Sequence, residues 1–161
     1  MPEFQDQPGA SADRGGERFL ICTVLEEYYA LPSRFISEIA LFDKVYPLPL
    51  LPNYVLGIIN RYSAPFALLD ISLLISGQPG PRSKVLVLKA PEGSDPANLE
   101  KTALLIGDVL DIVEVPPSEV LPVEKGGPEA LVESSFSWKG RNVLVLDVQG
   151  LISRAAGEIA A

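Results

Sequence analysis

Four groups of residues in this chain carry side chains capable of chemistry. Asp108-Val-Leu-Asp111, with Glu114 just beyond, sets carboxylates after a glycine, the raw material of acid–base hydrolysis. Cys22 is the only thiol, and a nucleophilic cysteine needs an activating base. Asp70 and Asp147 each close an apolar strand and open a short helix. A carboxylate there either receives a phosphoryl group or caps the helix by accepting its first free N–H groups. Asn60-Arg61-Tyr62 puts an amide, a guanidinium and a phenol side by side, residue types that anchor protein interfaces.

The rest of the sequence narrows these options. There is no histidine, so the commonest general base and metal ligand is missing. No Gly-rich phosphate loop and no G-x-S-x-G elbow occurs, and no cofactor is expected. Cys22 sits inside the apolar run Phe19–Leu25 with no base nearby, which fits a small core residue. A phosphoacceptor domain needs an acidic pair after its first strand, alternating parallel strands and helices, and a late Lys; this chain has no long amphipathic helices to build that architecture, so Asp70 and Asp147 are expected to be caps. The carboxylates at 108–114 fit a solvated turn and strand face. Nothing selects a small molecule for a sensor cavity. The chain has 161 residues, 47% of them hydrophobic, and a net charge of -8. That balance supports a real core and argues against nucleic acid as a partner. A single cysteine rules out an internal disulfide, and no apolar run nears the ~20 residues of a membrane span. A cytoplasmic location without membrane insertion is expected.

The elements that must position these residues are short. Residues 1–17 are polar and aperiodic and are expected to be a disordered tail, and 157–161 a short tail after the domain. Strands are expected at Phe19–Leu25, Tyr28–Leu31, Phe35–Phe42, Tyr54–Asn60 and Pro65–Leu69. A helix at Ile71–Ile75 should then close at Gly77. Pro47, Pro49 and Pro52 make their stretch an extended loop. After a linker at Gly77–Pro81, strands are expected at Lys84–Lys89, Thr102–Ile106, Val109–Val115, Ala130–Trp138 and Asn142–Leu146, then a helix over Val148–Ala156. The Ala90–Glu100 loop has no evident task. The plan repeats. Ala67–Ser76 lies over Leu144–Ser153 at an offset of 77, with Asp70 on Asp147. At shorter offsets Ser37-Glu38-Ile39 lies over Val113-Glu114-Val115, and Val45–Leu48 over Val120–Val123. Two copies of a five-strand unit ending in a helix, folded as small barrels, account for this.

The run from Phe19 to about Arg154 resembles the CheW family of chemotaxis coupling proteins. The similarity rests on "FLICTVLEEYYALP" (Phe19–Pro32), "FISEI" (Phe35–Ile39), "YPLPLLPNYVLGIIN" (Tyr46–Asn60), "FALLDISLLIS" (Phe66–Ser76), "ALLIGDVLDIVEVPPSEVLP" (Ala103–Pro122) and "SWKGRNVLVLDVQGLI" (Ser137–Ile152). The resemblance implies a mainly β fold with short helices: two SH3-like five-stranded β-barrel subdomains, about 18–77 and 78–156, in one CheW-like domain. It also implies a non-enzymatic adaptor in bacterial two-component signalling. Its partners would be the regulatory domain of a CheA-type histidine kinase and the cytoplasmic tip of a chemoreceptor. A divergent CheW-like scaffold for another partner, in a motility or other two-component pathway, is the alternative.

The sequence departs from the family at one place. Where the family runs Val-Ile-Asn-Leu-Arg-Gly, this chain has Ile58-Ile-Asn-Arg-Tyr-Ser63. The family arginine can pair with the glutamate found here at Glu38, and Tyr62 stands in its place. Arg61 is one residue early, so in a continuous strand its guanidinium faces the wrong side unless a bulge or a different turn re-aims it. Ser63 in place of Gly implies changed backbone requirements. The expected partner surface is Glu38, Ile39, Ile59, Asn60, Arg61 and Tyr62.

Overall fold

In the computed structural model, residues 16–93, 99–123 and 131–160 are described. The tail over 1–15, the middle of the 90–100 loop and residue 130 at the expected start of a strand lie outside that set. The strands are β1 (Glu17–Val24), β2 (Glu27–Pro32), β3 (Ile36–Leu41), β4 (Val55–Arg61) and β5 (Ala64–Asp70), followed by helix α1 (Ile71–Ser76). After these come β6 (Lys84–Leu88), β7 (Thr102–Ile106), β8 (Val109–Val115), the short β9 (Leu121–Pro122), β10 (Val132–Trp138) and β11 (Arg141–Leu146). Helix α2 (Val148–Ala160) runs four residues past its expected end. One 3-10 turn, Ser33–Phe35, takes the first residue of the expected third strand.

The burial pattern explains the two kinds of strand. From Phe19 onward β1, like β6 and β7, is apolar almost without alternation, and most residues in these strands are buried. A strand that is apolar on both faces must be covered on both. Phe19 and Ile21 point into one barrel with Phe136 and Val145, while Leu20 and Cys22 point the other way into a central layer. Val85 and Val87 likewise fill the second barrel, and Leu86 and Leu88 join the same central layer. The helices contribute Ile71, Val148 and Ile152 to it. β3 and β8 instead alternate half-buried and exposed residues, as strands with one wet face do.

The strands form a sheet ordered β9-β10-β11-β2-β1-β8 and another ordered β3-β6-β7-β5-β4. Each draws on both sides of the Gly77–Pro81 linker. Counting along each repeat, both sheets read third, first, second, fifth, fourth strand, with the first two strands supplied by the other copy. The second and fifth strands are parallel in both: β7 with β5, and β2 with β11. The first hairpins of the two copies have therefore been exchanged, which puts them at the centre and makes them apolar on both faces.

Residue rows across the sheets match position for position. Glu38, Val87, Ala103, Leu68 and Gly57 lie side by side in one. Asp111, Ile21, Ala30, Val145 and Ser134 do so in the other. Glu38 thus corresponds to Asp111, and the expected match of Glu38 with Glu114 is corrected. The letters misled because β8 offers an acidic residue followed by a branched apolar one twice, at Asp111-Ile112 and at Glu114-Val115; the one-residue bulges at Ser37 and Leu110 fall at equivalent positions in β3 and β8. The match of Tyr46 with Leu121 holds: these residues oppose Ile58 and Ser135, themselves 77 apart. Gly57 has φ +143°, and a Cβ there would sit 2.2 Å from the Tyr46 carbonyl oxygen. The close pass of the proline-rich loop requires glycine at that point.

Asp70 is 2% exposed. Its Oδ1 accepts the N–H groups of Ser72 at 2.9 Å and Leu73 at 3.3 Å, and its Oδ2 accepts both Nε and Nη2 of Arg82 at 3.0 Å. Asp147 accepts the Gly150 N–H at 3.0 Å. Asp70→Ala should lower stability in urea unfolding by about 2 kcal/mol, since it removes a cap and strands a guanidinium. Asp70→Asn should cost less, and equal losses would contradict the capping role. Burial pushes the Cys22 thiol up to about 12. It should resist thiol reagents in the native state and react at once in denaturant, and rapid native labelling would refute its place in the core.

Candidate functional site: a barrel closure contact and the groove beside it

β3 and β4 are the two outer strands of their sheet, yet their side chains meet. Arg61 Nη2 donates to Glu38 Oε2 at 2.5 Å, and the Tyr62 hydroxyl donates to Oε1 at 2.5 Å. The sheet is therefore curled until its edges touch. Both oxygens of one carboxylate are engaged by consecutive residues. The guanidinium also lies 5.5 Å from the centre of the Tyr62 ring, within cation–π range.

Local geometry makes this possible. β4 ends at Arg61, which pairs with Ala64, so Tyr62 and Ser63 are the two central residues of a tight hairpin. Both have positive φ, +53° and +62°, the signature of a type I′ turn. Strand alternation stops at Arg61, and Tyr62 is free to swing to the same side. Of the two outcomes left open for Arg61, a tight turn that brings it onto Glu38 is the one found. The expectation about Ser63 is corrected: the turn keeps its left-handed backbone, and a serine holds it. Lys139-Gly140 occupies the corresponding turn of the other barrel with the same signs of φ.

The electrostatics follow from the contacts. The hydrogen bond from Arg61, then that from Tyr62, lowers the Glu38 pKa below the ordinary carboxylate value. The hydrogen bond to Glu38 raises the pKa of Arg61 and that of Tyr62. All three groups are solvent-accessible, so salt screens the pair.

The other barrel closes in the same way with different atoms. At the Arg61 position stands Trp138, whose indole N–H points at Asp111 Oδ2 across a long 3.4 Å. Lys139, in the place of Tyr62, sets its ammonium 5.0 Å over the Trp138 ring. Asp111 is occupied in this way, and Asp108 is held by Ser83 and Lys84. The carboxylates of 108–114 do not meet in a pocket. Among the described residues no group of three His, Cys, Asp or Glu side chains could hold a metal ion.

Of the expected surface residues, Glu38, Arg61 and Tyr62 form one cluster. Ile39 is 39% exposed beside it, and Tyr62 is 71% exposed. Asn60 is also exposed. Ile59 is 7% exposed and packs with Leu68 and Leu105 inside the barrel. The residue that sequence reasoning missed is Ile112. It occupies the position in β8 that Ile39 holds in β3, is half-exposed, and lines a groove with Ile39, Leu20, Ile36, Glu38 and Arg18. The signal that could have found it was the repeat, taken at the offset that sets Glu38 on Asp111.

The CheW-like domain family model matches residues 18–156, and the chain belongs to that family. Among solved structures it is similar to the scaffolding protein TtCheW from Thermoanaerobacter tengcongensis. The TM-score is 0.72 at 16% identity, over 84% of this chain and 87% of that one, a likeness of fold. No curated protein matches. Among the described residues no helix is long and apolar enough to cross a membrane.

A carboxylate held low by its contacts stabilises the fold above its unfolded-state value, and that contribution is lost as pH falls through the lower folded value. A phenol held high stabilises below its unfolded value and loses that contribution as pH rises through the folded one. NMR titration should therefore find Glu38 protonating below the ordinary carboxylate range and Tyr62 ionising above the ordinary phenol range. Arg61→Ala should return Glu38 toward normal. An unshifted Glu38 in the native protein would contradict the cluster.

Proposed function

We propose that this chain is a non-enzymatic cytoplasmic adaptor that couples chemoreceptors to a CheA-type histidine kinase. The observation that carries the proposal is the groove in which Ile39 and Ile112, equivalent residues of the two repeats, lie together beside Glu38. An exposed apolar strip walled by a polar cluster suits one face of an amphipathic helix, with the isoleucines as anchors. The cytoplasmic tip of a receptor, a helical hairpin, is the partner that membership of the CheW-like family suggests for it. The kinase regulatory domain, itself CheW-like in this scheme, would dock elsewhere on the barrels. Scaffolding is also what the solved neighbour's description states of that protein.

Tyr62 supports a second function of the same kind, a scaffold for a different receptor or motility pathway. It is the exposed residue of the cluster, and an exposed aromatic at a groove edge changes which partners fit.

Binding should be measured by calorimetry against a receptor-tip fragment and a kinase regulatory domain from the same organism. Affinity in the micromolar range is expected for interfaces of modest size. Ile39→Glu and Ile112→Glu should each weaken receptor binding by about tenfold or more through a buried unpaired charge, with unfolding temperature little changed. Tyr62→Ala should weaken it more than it lowers stability. Binding to the kinase alone favours the second function, and binding to neither partner rejects the adaptor.

A further inference from the structure

The groove that holds Ile39 and Ile112 has two ends, and an ion pair marks each. Arg34, just before β3, pairs with Glu17, which lies opposite Val115 at the end of β8. Lys84, opposite Leu41 at the end of β3, pairs with Asp108, just before β8. β3 and β8 therefore run in opposite directions along the groove. The isoleucines stand at its centre, and the repeat relates one end to the other.

The residues at the related positions are not alike. Leu41 lies two residues past Ile39, opposite Lys84, and Glu114 lies two residues past Ile112, opposite Arg18. Strand alternation puts each on the same face as its isoleucine, about 7 Å along, a little more than one turn of a helix. The bulge residues differ too. Leu110 of β8 is at the end with Leu41, and Ser37 of β3 is at the end with Glu114. One end thus presents Leu41 and Leu110, 73% and 42% exposed. The other presents Arg18, Glu114 and Ser37, all exposed. Each cation has a carboxylate beside it: Lys84 has Asp108, Arg34 has Glu17, and Arg18 faces Glu114. The ends differ in apolar against polar surface, with no surplus of charge at either.

A groove with two equal ends would accept a helix in either direction. Unequal ends remove that degeneracy. Reversing the helix would set polar groups over Leu41 and would press an apolar stripe onto Arg18 and Glu114, and both changes cost binding.

On the reading of this groove as a helix site, we infer that it also reads the direction of the helix. The apolar stripe of the helix runs a turn past the isoleucine contacts over Leu41 and Leu110, and the polar residues at its other end meet Arg18 and Glu114. Direction then fixes which end of the groove the tip of a helical hairpin faces.

The test uses the full-length, isotopically labelled protein and a receptor-tip fragment from the same organism. The fragment carries one nitroxide label at a time, near either end of the apolar stripe of each helix. Each label on the bound helix is expected to broaden NMR signals at one end of the groove, either Leu41 and Leu110 or Arg18 and Glu114. A label at the opposite end of the same stripe should broaden the other pair. The double variant Leu41→Glu with Glu114→Leu exchanges the ends and should reverse the pattern. Leu41→Glu alone, at an exposed position, guards against a folding defect in the double variant and should weaken binding by about tenfold. A label that broadens both ends alike, a pattern that the exchange leaves in place, or undiminished binding by Leu41→Glu would each overturn the inference of direction. Absence of any shift at Ile39 and Ile112 would overturn the helix site itself, and the direction with it.

Discussion

Everything in this molecule depends on four strands being buried on both faces. The first hairpin of each repeat lies in the sheet of the other, so β1, β2, β6 and β7 stand between two barrel interiors and one shared layer. Leu20, Leu31, Leu86 and Leu104 meet in that layer, each at most 1% exposed, and each such side chain contributes about 2–3 kcal/mol of burial. The exchange makes each barrel incomplete without its partner's hairpin. It also brings the third strands, β3 and β8, into one groove, so that equivalent isoleucines come together. The groove is thus a consequence of the duplication.

The closure contacts show how one backbone plan accepts different chemistry. Both barrels end their fourth strand in a tight left-handed turn, and in both the last strand residue reaches a carboxylate on the third strand. One copy uses guanidinium and phenol on Glu38. The other uses an indole on Asp111, with a lysine stacked above. The requirement is a donor at the hairpin end, and arginine and tryptophan both meet it. The first copy carries the heavier polar load and more exposed aromatic surface, which makes it the better candidate for partner choice.

Much of the fold was legible. Unbroken apolar runs, the strand-end aspartates and the repeat at 77 residues gave the strands, the short helix and two copies of one plan. The exchange of hairpins was not, because strand pairing between copies leaves no mark in a local pattern. β1 and β7 carried a hint in their lack of alternation. The third-strand register was misplaced because β8 carries an acidic residue followed by a branched apolar one twice, at Asp111-Ile112 and Glu114-Val115, and the letters alone do not choose between them. The site was half legible. Glu38, Arg61 and Tyr62 stood out by type, but the direction of Arg61 depended on where β4 stops. A strand ending at Arg61, followed by two left-handed residues, places both side chains on one carboxylate. Alternation continued through Tyr62 would have separated them.

The central claim is that an amphipathic receptor helix seats between the two barrels. The most direct measurement is NMR shift mapping of the labelled protein on addition of a receptor-tip fragment. The account predicts shifts centred on Ile39, Ile112, Glu38 and Leu20. Saturable binding whose shifts leave both isoleucines untouched would contradict it.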